Sequence, residues 1–157
     1  MHSATIDTIK TELKQLPPKE VLDLLLRLAR FKKENKELLT YILFESANEH
    51  EYVEQVKKEI SGEMAEIEGL PGYQYKKHFR KIQRKINKPI KYIGNKSATA
   101  ELYLHMARMI SEKKRTNYLA PFLEKTLQQY IGKIEKLLPG IEDDLAADMR
   151  KQLKQFS

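Results

Sequence analysis

Apolar residues recur along this chain at spacings of three and four, and no stretch sustains an alternation of β-branched and polar residues. That periodicity belongs to helices that each bury one face, so it predicts an all-α fold and excludes a sheet. Six glycines and six prolines punctuate the periodic segments, and they divide the chain into about eight helices.

The first predicted helix covers 3–15, with Ile6, Ile9, Leu13 and Leu16 on one stripe. Pro17 and Pro18 end it and open a second over 18–33, because proline suits a first helical turn. That second helix is apolar nearly all round (Val21, Leu22, Leu24, Leu25, Leu26, Leu28, Ala29, Phe31), a pattern that predicts a central, buried position. The third, 35–47, carries Leu38, Leu39, Ile42 and Leu43. Asn48 followed by Glu51 resembles a capping box and opens a fourth helix to about 68, striped by Val53, Val56, Ile60, Met64 and Ile67. Gly69-Leu70-Pro71-Gly72 turns the chain into a fifth helix, 73–88, with Tyr75, Phe79, Ile82 and Ile86 on one strip and Pro89 and Gly94 as its breakers.

A sixth helix over 98–114 takes Ser97 or Thr99 as its cap, and a seventh takes Asn117, with Pro121 in its first turn. Pro139-Gly140 opens the eighth, whose early acids (Glu142, Asp143, Asp144) and late bases (Arg150, Lys151, Lys154) suit the helix dipole. A chain of 157 residues fits one domain. Short connections make successive helices antiparallel. The expected architecture is a single domain over 1–157, an irregular antiparallel bundle of about eight helices, with a short stack of helical hairpins as the alternative.

There is no cysteine, which excludes disulfides, thiolate chemistry and cysteine zinc sites. The opening residues 1–7 lack a basic stretch followed by an apolar one, unlike a secretory signal. The apolar-rich run 21–31 holds Asp23, Arg27 and Arg30 and is too short to span a bilayer. A cytoplasmic chain without an integral membrane segment is expected.

Charge is distributed unevenly. The formal net charge is +7, yet residues 73–96 alone hold nine bases (Lys76, Lys77, Arg80, Lys81, Arg84, Lys85, Lys88, Lys91, Lys96) and no acid. Residues 1–72 hold ten bases against fourteen acids, and 97–157 ten against eight, so one segment supplies the whole excess. On a helical wheel with Phe79 at zero, these cations sweep from about 60° to about 240°, away from the apolar strip. Such a face attracts phosphates or anionic head groups. Residues 45–68, just upstream, carry eight glutamates and only Lys57 and Lys58, so the turn brings an acidic helix beside the basic one and pairs part of its face.

Motifs of catalysis are missing. No GxxxxGK, GxGxxG or GxSxG occurs, which removes phosphate loops and nucleophile elbows. His50-Glu51-Tyr52-Val53-Glu54 ends in Glu where a zincin needs its second His. Glu101 and His105, four apart, read as a helix-stabilising pair before they read as acid–base machinery. No cofactor is expected.

The run Lys10-Thr11-Glu12-Leu13-Lys14-Gln15-Leu16, continuing through Phe31 and on to Glu54-Gln55-Val56-Lys57-Lys58-Glu59-Ile60, resembles an uncharacterised family of small bacterial all-helical proteins without an assigned function. The resemblance rests on a leucine-rich helical rhythm over the first third. It implies a helical fold and a bacterial source, and no catalytic residues.

The expected function is that of a non-catalytic helical module contacting the backbone of RNA or DNA. Lys76, Lys77, Arg80, Lys81, Arg84, Lys85, Lys88 and Lys91 would make the contacts, with Tyr92 as a stacking aromatic. The alternative is a protein-interaction scaffold that uses a groove between helices, its charges merely solvated.

Overall fold

The computed structural model describes residues 2–114 and 118–156. Its helices are α1 (Ile6–Gln15), α2 (Pro18–Phe31), α3 (Lys33–Thr40), α4 (Glu49–Glu66), α5 (Gly72–Tyr92), α6 (Lys96–Lys114), α7 (Ala120–Leu137) and α8 (Asp143–Lys154). No strand occurs among the described residues. The all-α class is as the periodicity predicts. Contacts divide the chain into two compact units, Met1–Glu45 and Ser46–Ser157, where the sequence suggests one domain.

The first unit is a thin assembly. Thr5 caps α1 by accepting the Thr8 amide at 3.2 Å, so this helix starts at Ile6 rather than at residue 3. Pro18 occupies the first turn of α2. One extended residue, Lys32, separates α2 from α3. The pair is pinned by the Asn35 side-chain amide, which donates to the Leu28 carbonyl at 2.8 Å. The third helix does not run to 47. After Thr40 its hydrogen bonding widens into one π-type turn, Tyr41–Glu45, then tightens into a 3₁₀ turn, Ser46–Asn48.

The expectation that α2 lies at the centre of the fold is overturned. None of its residues is buried, and Leu22, Leu28 and Phe31 are 54%, 56% and 76% exposed. The reason is geometric. α2 packs against α3, an eight-residue helix that covers one side, so a helix apolar all round keeps its other sides in water.

The centre of the second unit is α6, which packs against α4, α5, α7 and α8. Ala100, Leu102, Met106, Ala107 and Ile110 of α6 are fully enclosed. The alanines let neighbouring helices approach, and the long side chains fill the space between them. Val53, Ile60 and Met64 of α4, Phe79 and Ile86 of α5, Leu123, Leu127 and Ile134 of α7 and Met149 of α8 complete this core. Each large aliphatic buried here contributes on the order of 1.5–3 kcal/mol.

Several boundaries differ from the sequence reading. Pro89 does not break α5, which continues a further turn to Tyr92 with the proline ring buried; the helix ends when the Ile93 amide bonds to the Pro89 carbonyl. Neither Ser97 nor Thr99 caps α6. The Asn95 side-chain oxygen accepts from Ser97 N at 2.8 Å and Ala98 N at 3.4 Å, while Thr99 donates its hydroxyl to the Asn95 carbonyl at 2.9 Å. Asn117, expected to cap α7, lies outside the described residues; the residue preceding the described helix is Leu119. Leu138–Gly140 form a 3₁₀ turn, and α8 starts only at Asp143. Asn48 does cap α4, accepting from the Glu51 amide at 3.4 Å.

Candidate nucleic-acid interface

The basic segment is one helix, positioned by a turn and a buried strip. Gly69 adopts φ +82°, a left-handed conformation glycine takes without strain, and reverses the chain after α4. Tyr75 then donates its amide to the Pro71 carbonyl at 2.9 Å and α5 begins. Its apolar strip buries as the four-three-four spacing predicts: Tyr75 and Ile82 are 2% exposed, Phe79 and Ile86 not at all. Tyr75 stacks on Phe79, and Phe79 meets the Phe122 ring of α7 edge-on with centroids 5.7 Å apart.

With the strip fixed inward, the cations sort by angle. On one flank, Lys76 Nζ lies 5.3 Å and Arg80 Cζ 5.9 Å from the centre of the Phe122 ring; cation–π attraction holds them along α7. On the other flank, Lys85 forms an ion pair with Glu63 of α4, and this bond raises the pKa of its ammonium. Between the flanks, Lys77, Lys81, Arg84 and Lys91 are exposed, and among the described residues none has a carboxylate partner. Lys88 and Tyr92 are half-buried and engaged with neighbouring groups.

The acidic segment 49–68, α4 and the residues just after it, spends most of its carboxylates elsewhere. Glu54 shares Lys57 with Glu101 of α6. Glu68 pairs with Lys113 of α6, Glu49 accepts from Asn95 at 2.8 Å and Glu59 accepts from Gln55 at 3.0 Å. Neutralisation of the basic helix by its acidic neighbour is therefore partial.

Two further aromatics stand at the start of α5. Tyr73 is 80% and Tyr118 74% exposed. A Cβ placed on Gly72 would meet the Tyr118 ring at 2.9 Å, so the bare glycine lets that tyrosine lie against the first turn. The Gly72–Tyr118 approach spans 46 positions of sequence and leaves no local signal.

Comparison with known proteins finds no significant match, whether among family models, curated proteins or solved structures.

A second polar cluster lies in the seam between α4 and α6. Ser61 Oγ and His105 Nε2 are 2.9 Å apart, and the same hydroxyl reaches Met109 Sδ at 3.7 Å. Lys57 beside them bonds Glu54 at 2.7 Å and also bonds Glu101. Burial lowers the His105 pKa, and the Lys57 charge lowers it further. Burial also opposes the Lys57 ammonium, but its bonds to Glu101 and Glu54 outweigh that and raise it. Glu101 and His105 thus serve separate partners on α4 rather than each other. The seam fastens two helices, and it shares no residue with the grooves on the α2–α3 pair or with the cavity lined by Leu138 and Leu153. Among those residues no group of three His, Asp or Glu is arranged to hold a metal ion. Among the described residues no helix is long and apolar enough to cross a membrane.

Proposed function

We propose that this chain is a nucleic-acid-binding module without catalytic activity, which grips the phosphate backbone with the outward face of α5. The observation that carries the reading is the row Lys77, Lys81, Arg84 and Lys91, exposed and without carboxylate partners among the described residues. These residues lie at about 120° to 200° from the buried strip on a helical wheel, so they form one band along the helix axis. Lys76 and Arg80, held on Phe122, extend the band on one side. The rigid, buried strip beneath preorganises the cations. Contacts of this kind position a strand and carry no sequence readout.

The exposed Tyr73 and Tyr118 at the start of the band favour single strands over duplex, because unpaired bases stack on aromatic faces beside cations. The test is binding of labelled single-stranded and duplex oligonucleotides over a salt series. The expected log–log slope for a single strand is about −3 for four neutralised phosphates. Lys77→Glu, Arg84→Glu and Lys91→Glu together abolish binding with helicity retained, and Tyr73→Ala with Tyr118→Ala weakens single-strand binding more than duplex binding. A flat salt dependence, or no binding at low salt, overturns the reading.

A further inference from the structure

We infer that residues 2–45 are a self-association element, covered in solution by the same element of a second copy of this chain. The inference is independent of the nucleic-acid reading and stands on the surface of α1, α2 and α3. Of the described residues 2–45, Tyr41 alone is buried. Thirteen large apolar side chains in this stretch are exposed, against three among the described residues of 46–157. At the fractional exposures observed, they present on the order of 1,000 Å² of apolar residue surface to water. A stable interface buries about 800 Å² on each partner, and these side chains together hold the apolar area that such an interface needs.

Its shape identifies the kind of occupant. Two grooves lie on the α2–α3 pair. One is lined by Leu25, Leu28, Leu38 and Ile42, the other by Leu26, Leu43 and Phe44 together with Arg30, Lys33 and Lys36, and Ala29 and Leu39 belong to both. Helices of a second molecule can seat apolar ridges in both. The chain carries ridges of matching spacing. Ile6, Ile9, Leu13 and Leu16 in and after α1 repeat at three, four, three, as do Val21, Leu24, Leu28 and Phe31 in α2, the seam by which helices interlock knobs into holes.

Charge selects the partner. Residues 1–45 hold eight bases and seven acids, interspersed. Two copies meeting through this element do not repel each other, whereas the chain's basic excess lies in 46–157. Anionic membrane surfaces attract helices with a cationic polar face; here Asp7, Glu12, Glu20 and Asp23 offset the bases of α1 and α2, and of the three cations lining the second groove, Arg30, Lys33 and Lys36, Lys33 pairs with Glu37 of α3. A two-fold interface is self-complementary by construction. A helix of ten residues such as α1 is marginal in water without tertiary cover, and reciprocal packing supplies that cover.

The experiment is analytical ultracentrifugation of the full chain without nucleic acid, at low and high salt, beside thermal unfolding at several protein concentrations. The expected species has twice the 18.4 kDa chain mass and persists at high salt, since burial of apolar surface drives it, and its melting temperature rises with concentration. Leu28→Asp with Phe44→Asp gives a helical monomer, while Leu145→Asp, at an exposed apolar position of the second unit, leaves the dimer intact. A wild-type monomer with a concentration-independent melting temperature overturns the inference. So does a dimer that Leu28→Asp with Phe44→Asp leaves unchanged, or a monomer that instead sediments with neutral phosphatidylcholine vesicles. Loss of nucleic-acid binding through the α5 variants, with the dimer intact, touches only the function proposed above.

Discussion

α2 and α5 invert the rule that the more apolar helix is the more buried. α2 presents leucine on almost every side and buries none of it, whereas α5 is dense with lysine and arginine and encloses Tyr75, Phe79, Ile82 and Ile86 completely or nearly so. The difference lies in what stands opposite. α5 belongs to a unit in which α6 contacts four other helices, so a narrow strip finds a full complement of neighbours. α2 has α3, a helix of two turns. Apolarity states a demand for cover, and the rest of the chain decides whether the demand is met within one molecule.

The sharpest way to break this contrast is truncation on each helix. Phe79→Ala removes an enclosed ring that contacts Tyr75 and Phe122 and lowers stability by about 3–5 kcal/mol in urea titrations. Leu28→Ala, at a position 56% exposed, costs under about 1 kcal/mol in dilute solution. Its effect grows with protein concentration as the self-association element engages. Equal costs at high dilution would mean that α2 is covered within the single chain.

Charge reversal gives the next largest effect. Lys77→Glu with Arg84→Glu on α5 weakens oligonucleotide binding and reduces the salt slope by about 2, one for each lost phosphate contact. Arg27→Glu with Arg30→Glu on α2, equal in charge change, leaves the slope unaltered, because those cations lie outside the α5 band. Fluorescence anisotropy over a salt series measures both.

A smaller effect follows from the seam between α4 and α6. The pKa of His105 is depressed in the fold by burial and by Lys57, so below the ordinary imidazole value of about 6.5 the unfolded chain binds more protons than the folded one. Stability from this group is fully present above that value and is lost as pH falls through the lower folded pKa. His105→Gln flattens the pH dependence of the melting temperature in this window and leaves the neutral-pH nucleic-acid affinity unchanged. Smallest of all is Tyr75→Phe. The Tyr75 hydroxyl is buried without a hydrogen-bond partner among the described residues, and burial together with the Glu68 charge raises its pKa. Removing it leaves stability unchanged or raises it by about 1 kcal/mol.

What was legible in the sequence was local. The strip of α5 follows from spacing alone, and Asn48 announces the start of α4 three residues ahead of Glu51. Where a feature needs two distant segments, no local pattern announces it. Ser61 meets His105 across 44 positions, and Phe122 of α7 faces Lys76 and Arg80 of α5. Pro89 misleads for a related reason: as a breaker it reads as an end, yet tertiary packing around its buried ring carries the helix one turn beyond it. Asn95 displaces Ser97 and Thr99 as the α6 cap because its side chain reaches two free amides at once. The row of cations in the candidate interface was visible in the composition of one segment; which of them would stay open was set by Glu63 and Phe122, supplied by other helices.

The ring of Phe122 carries a consequence of its own. It tethers two guanidinium or ammonium groups without bearing any charge, so a neutral residue governs how wide the cationic band spreads. Exchange for an aliphatic side chain would let Lys76 and Arg80 swing away from α7, strengthening the local field while the isoelectric point and the tally of ionisable groups stayed the same. Grip on a polyanion can thus be retuned from a position that no inspection of charged residues would single out.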